Sequence, residues 1–164
     1  MNSRSFAGGI LGLALLCVPA AAQQPFAGLS SDEPISVDAQ RCDALQREDR
    51  VICTGEVMIA QGPALLTADR MEITFAPGTQ DFTRIEGEGR VRYASGEDAI
   101  SGRAGVFDAA TSTITVTGDV VVVQGEQVIT GDRLVYNTET GALSFSAADG
   151  GRVRGLFQAT KERG

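Results

Sequence analysis

The alternation in Arg90-Val91-Arg92-Tyr93 is the sharpest in the chain, and its period of two predicts a strand with the arginines on one face and Val91 and Tyr93 on the other. Ile35-Ser36-Val37-Asp38 alternates in the same way, and residues 111–117 and 120–123 are rich in β-branched side chains. Turn-forming clusters interrupt these runs at short intervals: Ala76-Pro77-Gly78-Thr79, Gly96-Glu97-Asp98, Asp108-Ala109-Ala110-Thr111, Gly125-Glu126 and Asn137-Thr138-Glu139-Thr140-Gly141. No segment sustains a helical period. Short strands punctuated this densely predict an all-β sandwich, barrel or roll.

A pattern repeated three times organises the strands. Gly55 to Gly62 leads to Asp69, Gly89 to Gly96 leads to Arg103, and Gly118 to Gly125 leads to Asp132. The two glycines lie seven positions apart in each copy, and the charged residue lies seven further on. The copies start 34 and then 29 residues apart, so spacing is fixed inside a unit and slack between units, as in stacked supersecondary units. If Arg92 faces water, Val91 and Tyr93 face inward. The same parity puts Val57, Ile59, Val120 and Val122 inside, and Leu66, Ile100 and Ile129 on each following strand. Met58, Val121 and Val123 then face the other way although they are apolar. Either both faces are covered, or one apolar face lines a groove open to a ligand or partner.

The ends change the picture. Arg4, an apolar run over residues 10–18 and Ala20-Ala21-Ala22 have the layout of an export signal, so residues 1–22 are expected to be cleaved. The run is shorter than the ~20 residues a span needs. Cys17 follows Leu16, where a lipoprotein signal needs a small residue. Residues 23–33 read as a flexible lead-in, 34–157 as one domain and 158–164 as a polar tail. Cleavage leaves Cys42 and Cys53, an even pair in an oxidising compartment, flanking a segment with a polar centre that suits a hairpin. A disulfide between them is expected.

Candidate chemistry is sparse. The chain has no histidine, and two of its three cysteines are accounted for by that disulfide, so triads, zinc sites and thiol catalysis lack their parts. No cofactor or metal is expected. Asp69 and Asp132 each precede an arginine, which suits a turn or strand-end ion pair rather than an acid–base couple. Gly87-Glu88-Gly89 and Gly150-Gly151 read as turn glycines, with no helix after them to make a phosphate loop. A formal charge of −7 without a basic cluster argues against nucleic acid.

The segment Thr54-Gly55-Glu56-Val57-Met58-Ile59-Ala60-Gln61-Gly62 followed by Leu66-Thr67-Ala68-Asp69-Arg70 resembles the OstA-like module of the lipopolysaccharide transport family. The run from Thr117-Gly118-Asp119-Val120 to Gln124-Gly125, with Thr130-Gly131-Asp132-Arg133, repeats it, and Pro34-Ile35-Ser36-Val37-Asp38-Ala39 resembles the family's first strand. The middle copy departs from the pattern, with Ser95 for Gln and Arg103 for Asp, and the Cys42–Cys53 pair is not general to the family. The resemblance implies a twisted β-jellyroll, an open roll V-shaped in section, with acyl chains between its walls. It also implies a periplasmic location, modules joined head to tail, and inner- and outer-membrane subunits of the transport machinery as partners. On inward parity, Ile35, Val37, Ile59, Leu66, Val91, Tyr93, Phe107 and Val122 are the expected acyl-chain contacts. The alternative is an extracytoplasmic structural or adhesive β-solenoid whose apolar residues fill a closed core.

Overall fold

The structure, a computed structural model, describes residues 33–148 and 150–156. The expected signal at 1–22, all but the last residue of the lead-in, Phe157 and the tail at 158–164 lie outside them. Ten strands follow one another: β1 Ser36–Asp38, β2 Arg41–Leu45, β3 Arg50–Gln61, β4 Ala64–Phe75, β5 Phe82–Ser95, β6 Asp98–Asp108, β7 Thr113–Gln124, β8 Gln127–Asn137, β9 Leu143–Ser146 and β10 Arg154–Leu156. A three-residue 3₁₀ turn, Gln46–Glu48, separates β2 from β3. The strands make one open antiparallel sheet in the order β1-β3-β4-β5-β6-β7-β8-β10, with β2 also on β3 and β9 also on β8. The expected all-β roll is present, built as a meander.

The repeat is a hairpin with a bulge. Gly62, Gly96 and Gly125 open two-residue turns, and their positive φ values of 54°, 61° and 56° are those of a hairpin turn with glycine first. Seven residues before each turn the register slips. Gly55-Glu56 faces the single residue Asp69, Gly89-Arg90 faces Arg103, and Gly118-Asp119 faces Asp132. The charged residue is therefore seven positions beyond the turn because it lies across the hairpin from the bulge. The bulge glycines have φ of 83°, 71° and 80°, and Glu56, Arg90 and Asp119 after them are also left-handed. A side chain at Gly89 would strike Asp69, and one at Gly118 would lie 2.6 Å from the Arg103 Nε. Glycine is required there by conformation and by space.

These bulges line up across the sheet and crease it. Each long strand crosses the crease, so one half belongs to a first wall ending in the glycine turns and the other to a second wall. The edge strands break at the crease: β1 pairs with the first-wall half of β3 and β2 with its second-wall half, while β10 and β9 divide β8 likewise. Gln40, between β1 and β2, lies over Gly55 as Asp69 lies over Gly89, and its N–H donates to the Gly55 carbonyl at 3.0 Å.

Three expectations are corrected. Gly87 and Gly89 lie within β5, the first against Val91 and the second at the bulge, and neither makes a turn; Gly150 does, closed by the Gly151 N–H donating to Ala148. Asp69 and Asp132 are mid-strand, not at strand ends, because the bulge is mid-strand. The Asp69 carboxylate is paired with Arg90 on the next strand and not with the adjacent Arg70. The middle copy reverses this pair: Arg103 Nε lies 3.3 Å from Asp119. The departure at Arg103 thus preserves the contact with exchanged charges.

Candidate functional site

Both walls turn an apolar face inward. On the first wall these are Val57, Ile59, Leu66, Val91, Tyr93, Ile100, Val120 and Val122; on the second they are Cys53, Met71, Ile73, Ile85, Phe107, Ile114, Val116, Leu134 and Tyr136. All are nearly or fully buried, although the described residues form a single sheet. The cover for each wall is therefore the other wall. Along the crease the walls approach over glycine: a side chain on Gly102 would meet Val116 Cγ1 at 2.5 Å, and one on Gly105 would meet Val91 Cγ1 at 2.9 Å. In the middle, only about 20 Å³ remains between Leu66, Val91 and Tyr93 on one side and Ile85, Phe107 and Ile114 on the other. At the N-terminal end the interior opens into a recess of about 540 Å³ lined by Ile35, Val37, Cys42, Val51, Cys53, Ile73, Phe75 and Phe82.

Six of the eight residues expected on the inner face, Ile59, Leu66, Val91, Tyr93, Phe107 and Val122, belong to this one cluster. Ile35 packs against it, half-buried. Val37 shares the face of its partner Ile59 but is 41% exposed, at the mouth of the recess. Ile129 pairs with Val122 and is only half-buried. Arg92 is exposed on the outer face, as parity requires. The second wall's Met71, Ile73, Ile85, Leu134 and Tyr136 were missed. Their signal, Met71-Glu72-Ile73 and Leu134-Val135-Tyr136, is a clean alternation. However, the single residue opposite each bulge reverses parity partway along β4, β6 and β8, so on those strands a face assignment carried from the first wall fails on the second; on β5, where Ile85 keeps the parity of Val91, it holds.

Few polar groups reach the interior. Gln61 is buried and donates through Nε2 to the Glu33 carbonyl at 2.6 Å. Burial pushes the Tyr93 phenol far above its ordinary range, with Tyr136 adding to the effect. Tyr136 is raised by burial and then by Asp98, which shares the inner parity of Ile100. Both phenols therefore stay neutral at physiological pH. This interior can solvate alkyl groups and has little capacity for ions.

The outer faces differ. The second wall carries ion pairs, Arg50 with Glu72 at 2.6 Å and Arg84 with Asp108 at 3.4 Å across strands, and Arg70 with Glu72 at 3.1 Å along β4. Hydrogen bonds from Arg50 and then Arg70 hold the Glu72 carboxyl below its ordinary range. The first wall presents Ala60, Leu65, Ala94, Ala99, Val123 and Val128 in one register row, with Met58 43% exposed beside it. The outward apolar residues Met58, Val121 and Val123 thus lie on an outer face that no second layer covers among the described residues. The N-terminal edge is fastened by the Cys42–Cys53 disulfide between directly opposed residues of β2 and β3, as their spacing predicted.

Residues 36–142 match the family model of the LptA/(LptD N-terminal domain) LPS transport proteins. An uncharacterized protein of Rhizobium meliloti is 31% identical over 134 residues, covering 77% of this chain and 72% of its own length. The lipopolysaccharide export system protein LptA of Escherichia coli K12 is 24% identical over 129 residues, covering 75% of this chain and 70% of its own. The fold matches the crystal structure of LptH, the LptA-homologous periplasmic component of the lipopolysaccharide transport device of Pseudomonas aeruginosa. The TM-score is 0.71 at 16% identity, over 79% of this chain and 99% of that one. With the matched residues spanning the creased sheet from β1 to the turn before β9, the chain belongs to the LptA/LptD N-terminal domain family of LPS transport proteins.

Proposed function

We propose that this protein is a periplasmic bridge that carries lipopolysaccharide between the inner and outer membranes, holding the acyl chains between the two walls. The observation that carries this reading is the apolar inner face of one open sheet, continuous across both walls and open at the N-terminal recess. Each buried CH₂ contributes about 0.8 kcal/mol, so tails drawn between the walls can offset the work of parting them. Sugars and phosphates stay in water. A protein of charge −7 that grips an anionic lipid by its tails needs no basic surface. No catalytic step enters this reading.

The edges support modules joined head to tail. Eight strands alternate in direction from β1 to β10, so the two ends of the path run oppositely. A β10 laid beside the β1 of the next copy continues the antiparallel sheet, with main-chain hydrogen bonds supplied by strand addition. Such a contact does not close, and it yields a ladder of sizes and not one dimer. The terminal modules would meet the corresponding inner- and outer-membrane subunits in the same way.

The test is capture of purified lipopolysaccharide by the mature-length protein, followed by size analysis over a range of concentrations. Co-migrating lipid and a concentration-dependent ladder are expected, and removal of residues 152–164 should shorten the ladder while leaving the fold intact. A protein that takes up no lipid would be a structural solenoid with a filled core.

A further inference from the structure

The two edge strands of the first wall carry complementary features. β1 presents Ser36 and Asp38 outward and Val37 inward; β10 presents Arg154 and Leu156 outward and Gly155 inward, on the parity of its partners Thr130, Ile129 and Val128. All six are exposed. Among the described residues Asp38 and Arg154 make no ion pair, whereas Arg41 and Asp43 on neighbouring β2 neutralise each other at 2.9 Å. On β9 the outward residues are Ser144 and Ser146. Asp38 and Arg154 are thus the uncommitted opposite charges on the edge strands.

Resting on the head-to-tail reading above, we propose that Asp38 of one copy and Arg154 of the next form the charged key that sets the register of the junction. Laying the three residues of β10 antiparallel on the three of β1, inner face to inner face, puts Val37 opposite Gly155. That register puts Asp38 opposite Arg154 and Ser36 opposite Leu156. Gly155 has no side chain, so the exposed Val37 has room to cover it and extend the apolar lining across the junction. Directly opposed charges favour this register, and like charges at the same positions oppose it. Shifting the register by one residue would turn Val37 against an outward position and break the inner face. Asp38 also borders an open outer recess of about 500 Å³ with Glu56, Asp69 and Arg90, where three carboxylates against one guanidinium leave a net negative surround that draws a basic edge toward it.

Charge exchange tests this on the full mature chain, read by sedimentation velocity over a concentration series. Asp38→Arg alone carries arginine on both edges, and Arg154→Asp alone carries aspartate on both. Each alone should associate roughly three- to tenfold more weakly than the parent, the range expected for opposed exposed charges. An equimolar mixture of the two should recover the parental ladder, because every mixed junction again pairs Asp with Arg. A single chain carrying Asp38→Arg together with Arg152→Asp should not recover it, because the arginine placed at position 38 still meets Arg154. If the parent forms a ladder that neither substitution changes, or if the mixture shows no recovery, the key is wrong while the bridge reading stands. Recovery with Arg152→Asp would move the register by two residues and overturn the pairing. A parent that stays monomeric at high concentration would overturn both.

Discussion

The middle of the interior and its N-terminal mouth are made of the same inner face but are in different states. In the middle, Val91, Tyr93, Ile85 and Phe107 close on one another and leave about 20 Å³. At the mouth, Val37, Val51, Ile73 and Phe75 surround about 540 Å³ of open space. The same residue chemistry supplies a core where two walls cover each other and an exposed apolar recess where the sheet ends. For a carrier this difference is useful. The closed middle holds the fold together without cargo, and the open end is where tails can enter or a neighbouring module can continue the lining. On the proposed function, core and groove are two states of one surface, separated by how far the walls part.

Truncation gives the widest contrast between the regions. Ile100→Ala, in the fully buried middle, should cost about 2–5 kcal/mol in urea unfolding. Val37→Ala at the mouth should cost under about 1 kcal/mol, because the side chain is 41% exposed. Equal losses would mean that the mouth is as closed as the middle. Next in size is the staple. Cys42→Ser should lower stability by about 2–3 kcal/mol, the value for closing a short loop in the unfolded chain. β2 buries almost nothing, so the damage should appear as faster amide exchange at residues 41–45 and 50–54. Exchange in β6 and β7, which open with the whole sheet, should rise by no more than that loss in stability allows.

Alkali sharpens the contrast in another way. The folded state holds the Tyr93 phenol well above its unfolded value of about 10, because burial disfavours the phenolate. The protonated form is favoured in the folded state. Its contribution is complete below about pH 10 and is lost as the pH rises through the folded value. Stability should fall above pH 10, and Tyr93→Phe should flatten that fall. An unchanged slope would mean that Tyr93 is solvated. The smallest effect belongs to the crease pairs. Asp69→Ala should change stability by less than about 1 kcal/mol, since Arg90 opposite it is largely exposed.

Much of this was legible in the chain. The repeat gave the three hairpins, and Arg90-Val91-Arg92-Tyr93 gave the inner face of the first wall because alternation there is unbroken from the bulge to the turn. The second wall was hidden by local geometry. At Asp69, Arg103 and Asp132 one residue opposes two, so parity reverses within β4, β6 and β8; the repeat marks these positions, but nothing in the pattern says that a bulge lies opposite them. The role of Gly102 and Gly105 was not legible, because it depends on Val116 and Val91 arriving from the other wall. Among the described residues the C-terminal edge pairs only over Arg154–Leu156, after the chain has crossed the crease from β9, a crossing that no sequence pattern announces. The 540 Å³ recess had no sequence signature, because it depends on where the sheet stops.

A photocrosslinker placed one position at a time on this sheet, with labelled lipopolysaccharide supplied, tests the central claim most directly. Val37 at the mouth and Ile59, Val91 and Tyr93 in the middle should capture the lipid, while Arg92, adjacent in sequence and on the outer face, should not. Equal capture at Arg92 and at the inner positions would contradict passage of acyl chains between the walls.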